Sequence, residues 1–181
     1  ARVRKAPELR RIIVAVDPAV KEGTSEIQDS DTGDEHGIVV VGEGVDGRGY
    51  TLEDLTMHGT PNEWAEVVAN AVIRWNANAI VAEKNNGGAM VEAVIRQFDK
   101  RSRVYLVWAS VGKERRAEPV SLMYEQRRIS HVGVFADMES QMCDFEPGLK
   151  NQASPDRMDA LVWGLTFLFG DTDKAIHGLD Y

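Results

Sequence analysis

The chain has 181 residues, 43% hydrophobic and 28% charged, with a formal net charge of −8. This suits one globular domain with a full core and argues against an all-over basic coat for nucleic acid. A single cysteine, Cys143, excludes a disulfide framework and a cysteine-based zinc site, and the chain has neither a membrane-spanning apolar run nor the apolar core of a signal peptide.

In chain order, Arg11–Asp17 is an apolar, β-branched run that ends in a carboxylate before Pro18, and it reads as a buried strand. Lys21–His36 is polar, acidic and without period, and is expected to be a loop. Gly37–Gly42 reads as a second strand and Tyr50–Met57, loosely alternating, as a third. Asp46-Gly-Arg-Gly49 between them carries hairpin turn chemistry. Thr60-Pro-Asn-Glu63 is a capping box with proline in the first turn, and the stripe Trp64, Val67, Val68, Ala71, Val72, Trp75 predicts the helix that follows.

Asn78–Glu83 is another short buried strand that ends in an acid. Gly87-Gly88 breaks the chain before a helix with Met90, Val91, Val94, Ile95 and Phe98 on one face. Arg103–Trp108 reads as a strand, Ala117–Arg128 as a helix, Ile129–Phe135 as a short extended piece and Asp137–Cys143 as a short helix. Gly148–Ser154 is a loop whose Ser154 is expected to cap a last helix, Pro155–Phe169, ahead of a polar tail. Hairpin-linked strands followed by strand–helix alternation give an α/β architecture, a central mixed β-sheet flanked by α-helices.

Asp17 and Glu83 each end an apolar strand. Where such strands run parallel, their C-terminal ends gather at one edge, the edge at which ligands bind in sheets of this kind. An acid there is costly without a partner, and the partner can be a basic side chain or a metal ion. Asp156 and Asp159 lie three residues apart at the start of the last helix, and Asp159 borders the core stripe Leu161, Val162, Leu165, Leu168. Three clustered carboxylates repel one another, and hard oxygen donors of this kind suit Mg2+ or Mn2+. At this stage each acid keeps a plainer reading. Asp17 could be a turn residue, Glu83 the partner of Lys84 or an arginine, Asp156 a helix cap, and Asp159 one half of a buried ion pair.

Val16-Asp-Pro-Ala19, Gly37–Gly42, Ala82-Glu-Lys-Asn-Asn-Gly-Gly88 and Pro155-Asp-Arg-Met-Asp-Ala-Leu-Val-Trp163 together resemble the nuclease domain of a tailed-bacteriophage terminase large subunit, from about residue 10 to 170. The resemblance implies a ribonuclease-H-like fold and a metal-dependent endonuclease that cuts concatemeric double-stranded viral DNA during packaging. By the same resemblance Asp17, Glu83 and Asp159 are the catalytic metal ligands, with Asp156 as a weaker candidate, for two Mg2+ or Mn2+ ions. It also implies partners, namely a packaging ATPase domain, the portal and the small terminase subunit, with action in the host cytoplasm and transiently on the procapsid. Residues 1–10 then read as a basic linker from that ATPase domain, 11–170 as the nuclease and 171–181 as a tail. No phosphate-binding loop of the Gly-x4-Gly-Lys-Ser/Thr type is present. A junction-resolving or transposase-like nuclease of the same fold and a catalytically silent docking module are the alternatives.

Lys84, Lys113, Arg115, Arg116, Arg127 and Arg128 are the candidate DNA-phosphate contacts, against a solvated helix surface paired with Glu114, Glu118 and Glu125. The acidic stretch Glu22–Glu35 could repel DNA or gate a cleft. Asn85 and Asn86 could shape the Glu83 edge. His131 is expected to be structural, and Trp64, Trp75, Trp108 and Trp163 to be core.

Overall fold

The computed structural model describes residues 1–19, 35–84, 88–108, 112–146 and 155–170. Most of the acidic stretch, Asn85, Asn86, Gly87, the 148–154 loop with Ser154 and the tail from 171 lie outside the described residues.

Seven strands form one sheet: β1 (Arg2–Val3), β2 (Leu9–Asp17), β3 (Gly37–Gly44), β4 (Gly49–Asp54), β5 (Ala79–Glu83), β6 (Val104–Val107) and β7 (Ile129–Val132), in the order β1-β7-β4-β3-β2-β5-β6. β3 pairs antiparallel with both β2 and β4, and every other pairing is parallel. The mixed sheet expected from the hairpin and alternation signals is therefore present, and the strand C-termini other than that of β3 share one edge.

Five helices cover it: α1 (Pro61–Trp75), α2 (Gly88–Phe98), α3 (Lys113–Glu125), α4 (Ala136–Asp144) and α5 (Asp156–Phe169). Strand alternation divides the core in two. Ile13, Val39, Val41 and Val81 face α5 with Leu161 and Leu165, whereas Val14, Val16, Ile38, Ile80 and Ala82 face α1 and α2 with Trp64, Val68 and Ile95. The α1 capping box forms as read, with Thr60 accepting from the Glu63 amide and the Glu63 carboxylate accepting from Thr60.

The structure differs from the sequence reading in several places. Arg2–Val3 add a short edge strand beside β7, where no hydrophobic period announces one. β2 begins at Leu9 rather than Arg11. α3 starts at Lys113, four residues before the expected boundary, and accommodates Pro119 within it; its polar first turn carries no apolar stripe to mark it. Met90 and Phe98 are 47% and 42% exposed, so the buried stripe of α2 narrows to Val91, Val94 and Ile95. Trp108 is 56% exposed and not core, because it follows the last inward residue of β6, Val107, beyond the end of the strand.

α5 lies across β2 and β3, and two glycines set how closely. A Cβ on Gly164 would sit 2.7 Å from Val41 Cγ2 and 3.0 Å from Ala15 Cβ, and one on Gly37 would sit 2.1 Å from the Asp156 carbonyl oxygen. The helix therefore rests on the sheet backbone, with its first turn over the edge where β2 ends.

Candidate active site

Val16 pairs with Ala82 across the parallel β2–β5 ladder, so the next rung brings Asp17 beside Glu83. Alternation turns both side chains to the α5 face of the sheet, the face of Ile13 and Val81. Asp159 comes down onto the same spot from the first turn of α5, 3% exposed. The three acids singled out in the sequence thus meet at one edge. Asp156 is also buried there, near enough to Lys113 to raise its pKa.

Two cations of α3 complete the cluster. Lys113 Nζ lies 2.5 Å from Asp159 Oδ2. Arg116 Nη1 lies 3.3 Å from Glu83 Oε1 and its Nη2 3.7 Å from Asp159 Oδ1. Lys113 and Arg116 are three residues apart and so share a helix face. Basic residues in a first turn oppose the helix dipole, so these two owe their place to the acids rather than to helix stability. The Arg116 guanidinium, 8% exposed, stacks over the Trp163 ring at 4.4 Å from its centroid. When desolvated such a contact is worth about 2 kcal/mol. The indole Nε1–H of Trp163 donates to Glu83 Oε2 at 2.9 Å. Trp163 was read as core and is buried, but this bond escaped the sequence reading; its spacing of four residues from Asp159 was the available signal.

The electrostatics reflect crowded negative charge. Burial, the repulsion and hydrogen bond of Glu83, and the charge of Asp159 push the Asp17 carboxyl well above the usual carboxylate range, with Lys113 opposing. Burial likewise raises Asp159 despite Lys113 and Arg116. Burial works against the Lys113 ammonium, yet Asp159, Asp17 and Asp156 outweigh it and hold its pKa above the ordinary lysine value. Two cations do not offset the acids, and a hard divalent cation suits a donor set made of carboxylates. Among the described residues no group of three or more His, Cys, Asp or Glu side chains is arranged to hold a metal ion as it stands; Lys113 and Arg116 are bonded to the acids instead.

The remaining basic candidates separate. Arg115 is exposed on α3. The Lys84 ammonium lies 5.2 Å from the Trp108 ring centroid. Arg127 and Arg128 sit at the far end of α3, about 20 Å along a helix of this length; Arg127 takes a left-handed turn at φ 57° and Arg128 lies over Phe169. His131 is buried in a structural network, bonded to Tyr124 Oη and to Glu139 at 2.8 Å each, in keeping with its expected role. The first amides of α5 are capped by Gln141 Oε1, which accepts from Arg157 N at 3.1 Å and Met158 N at 3.4 Å.

Against known proteins, the profile of the family described as terminase RNaseH-like domain matches residues 14–167. The chain belongs to this family. A search of curated proteins finds no match. Among solved structures, the phage P22 large terminase nuclease domain is similar at TM-score 0.65 and 10% identity, covering 91% of this chain and 84% of that one. A mutant nuclease domain of the large terminase subunit gp2 of bacterial virus Sf6, solved with manganese and beta-thujaplicinol, gives TM-score 0.58 at 13% identity over 87% and 88%. Thermus thermophilus RuvC gives 0.52 at 14% over 91% and 98%. At these identities the likeness concerns the fold, which is ribonuclease-H-like, as the resemblance implied.

Proposed function

We propose that this domain is a metal-dependent endodeoxyribonuclease that cuts concatemeric double-stranded viral DNA during genome packaging. The observation that carries the reading is the meeting of Asp17, Glu83 and Asp159 at one sheet edge, two of them side by side at the ends of adjacent parallel strands. Membership of the terminase RNaseH-like family supports the packaging context, and the manganese in the Sf6 structure supports the choice of cation. The ATPase domain, portal and small subunit as partners, and action in the host cytoplasm at the procapsid, belong to the same proposal.

Asp17, Glu83 and Asp159 would hold Mg2+ or Mn2+, with Asp156 close by. When bound, two such ions would activate a water near neutral pH and neutralise charge that develops on the phosphodiester. The rest falls to the chain's own side chains. Crowding raises the Asp17 and Asp159 carboxyls, and the positive charge of a bound cation would lower them again. Arg116 stays buried and holds Glu83. Lys113, whose side chain is 44% exposed, can turn from Asp159 to a phosphate oxygen, and exposed Arg115 would add a further contact. Lys84, just past the Glu83 rung, would meet the DNA backbone on the other side of the edge. Phosphate contacts of this kind place the duplex without reading its sequence.

Plasmid cleavage in Mn2+ tests the reading. Asp17→Ala and Glu83→Ala are expected to abolish nicking and linearisation while circular dichroism stays native. Full activity in both would sink the assignment. Preferential cutting of four-way junctions over linear duplex would favour a resolvase instead.

A further inference from the structure

Glu83 is held from both of its oxygens, and one aromatic residue stands behind both holds. Trp163 Nε1 donates to Oε2 at 2.9 Å, and the face of the same ring carries the Arg116 guanidinium, whose Nη1 reaches Oε1 at 3.3 Å. Trp163 is 5% exposed and lies one helical turn after Asp159 on α5, so a single helix face delivers a carboxylate and the means of orienting its neighbour. Trp163→Phe leaves an aromatic ring at this position and removes the N–H donor. A buried N–H needs an acceptor, and the acceptor at this position is the carboxylate that ends β5.

We infer that Trp163 is a positioning residue for Glu83: its N–H fixes one carboxylate oxygen, and its ring holds Arg116 against the other. This rests on the nuclease reading above and adds to it the residue that orients one of its acids. It fixes the Glu83 carboxylate on the side it shares with Asp17, which is hydrogen-bonded to it. Bonds from neighbouring groups that fix a ligand in this way typically change metal affinity by about 10–100-fold. The bond also links α5 directly to the end of β5, so a shift of the helix start would move both Asp159 and Glu83.

The test is a double-mutant cycle read by calorimetric titration of Mn2+ into wild type, Trp163→Phe, Glu83→Gln and the double variant, with thermal melts alongside. Trp163→Phe is expected to fold and to bind Mn2+ about 10-fold more weakly. In the Glu83→Gln background the same change should cost little further affinity, because the anionic carboxylate it orients towards the cation is gone. Additive losses, or unchanged Mn2+ affinity in folded Trp163→Phe, would overturn the inference alone. A wild-type protein that binds no Mn2+ would overturn the nuclease reading together with it. A second measurement needs no variant. The indole N–H resonance of Trp163 should move on addition of Mg2+, as its acceptor changes environment, and a resonance that stays fixed at saturating Mg2+ would count against the role.

Discussion

At the scale of single residues, Asp17 carries the conflict between folding and function most openly. Its carboxyl is raised by burial and by Glu83 and Asp159, so the fold favours its neutral form. A raised pKa stabilises the fold at low pH, and that stability is lost as pH rises through the folded-state value; at neutral pH the ionised group therefore strains the site. Asp17→Asn removes the charge with little change of shape. It is expected to abolish cleavage and to raise the melting temperature of the metal-free protein at pH 7 by about 2–4 °C, the shift that about 1 kcal/mol gives in a domain of this size. A melting temperature at or below wild type would contradict the repulsion. Asp17 and Glu83 were legible in the sequence because an acid closing an apolar strand has few roles. The partners of those acids were less so. Lys113 and Arg116 stood out only as members of a basic cluster, and their pairing with Asp159 and Glu83 depends on a helix fold-back that local patterning does not encode. Trp108 misled for a related reason, since the same apolar run contains the last inward residue and the first one past the sheet.

At the scale of elements, α5 sets the site, and its distance from the sheet is the controlling variable. Gly164→Ala separates two effects that oppose each other. Helix propensity would gain about 1 kcal/mol from alanine. The added Cβ, however, would lie 2.7 Å from Val41 and 3.0 Å from Ala15, inside ordinary contact. Overpacking of that kind costs about 1–3 kcal/mol, so the net effect is expected to be destabilising by up to about 2 kcal/mol. Urea denaturation measures it, and a gain in stability would show that the helix has slack. Most elements and their order could be read from period and punctuation: the α1 capping box, the acid-terminated strands and the hairpin at Asp46–Gly49. The start of α3 and the strand at Arg2–Val3 could not. The first has a polar first turn, and the second is held by pairing with β7, a contact remote in sequence.

At the scale of the whole molecule, a second polar network ties the β1–β7 end of the sheet to α3 and α4. Arg2 of β1, His131 of β7, Tyr124 of α3 and Glu139 of α4 are bonded in series. Burial lowers the His131 pKa although Glu139 opposes it, so the fold favours the neutral ring. Arg2 and, behind it, His131 hold the Glu139 carboxyl down at about 2, with desolvation opposing. Both values are depressed, so both contributions are present at neutral pH and fade on acidification: that of His131 below its ordinary value of 6.5, that of Glu139 from 4.5 down towards 2. Melting temperature should fall in two stages across these ranges. His131→Gln should remove the upper stage and keep the lower, and a wild-type profile flat from pH 7 to pH 5 would contradict the assignment. Fold class was readable at this scale because hairpin and alternation signals together specify a mixed sheet. The convergence of three acids was suggested by strand ends and by family resemblance, but only the β2–β5 register places Asp17 beside Glu83. The most direct measurement of that convergence as a metal centre is anomalous diffraction from a crystal soaked in Mn2+. A peak bounded by Asp17, Glu83 and Asp159 is the expected result; a soaked crystal with no manganese peak there, or with manganese bound only elsewhere, would contradict it.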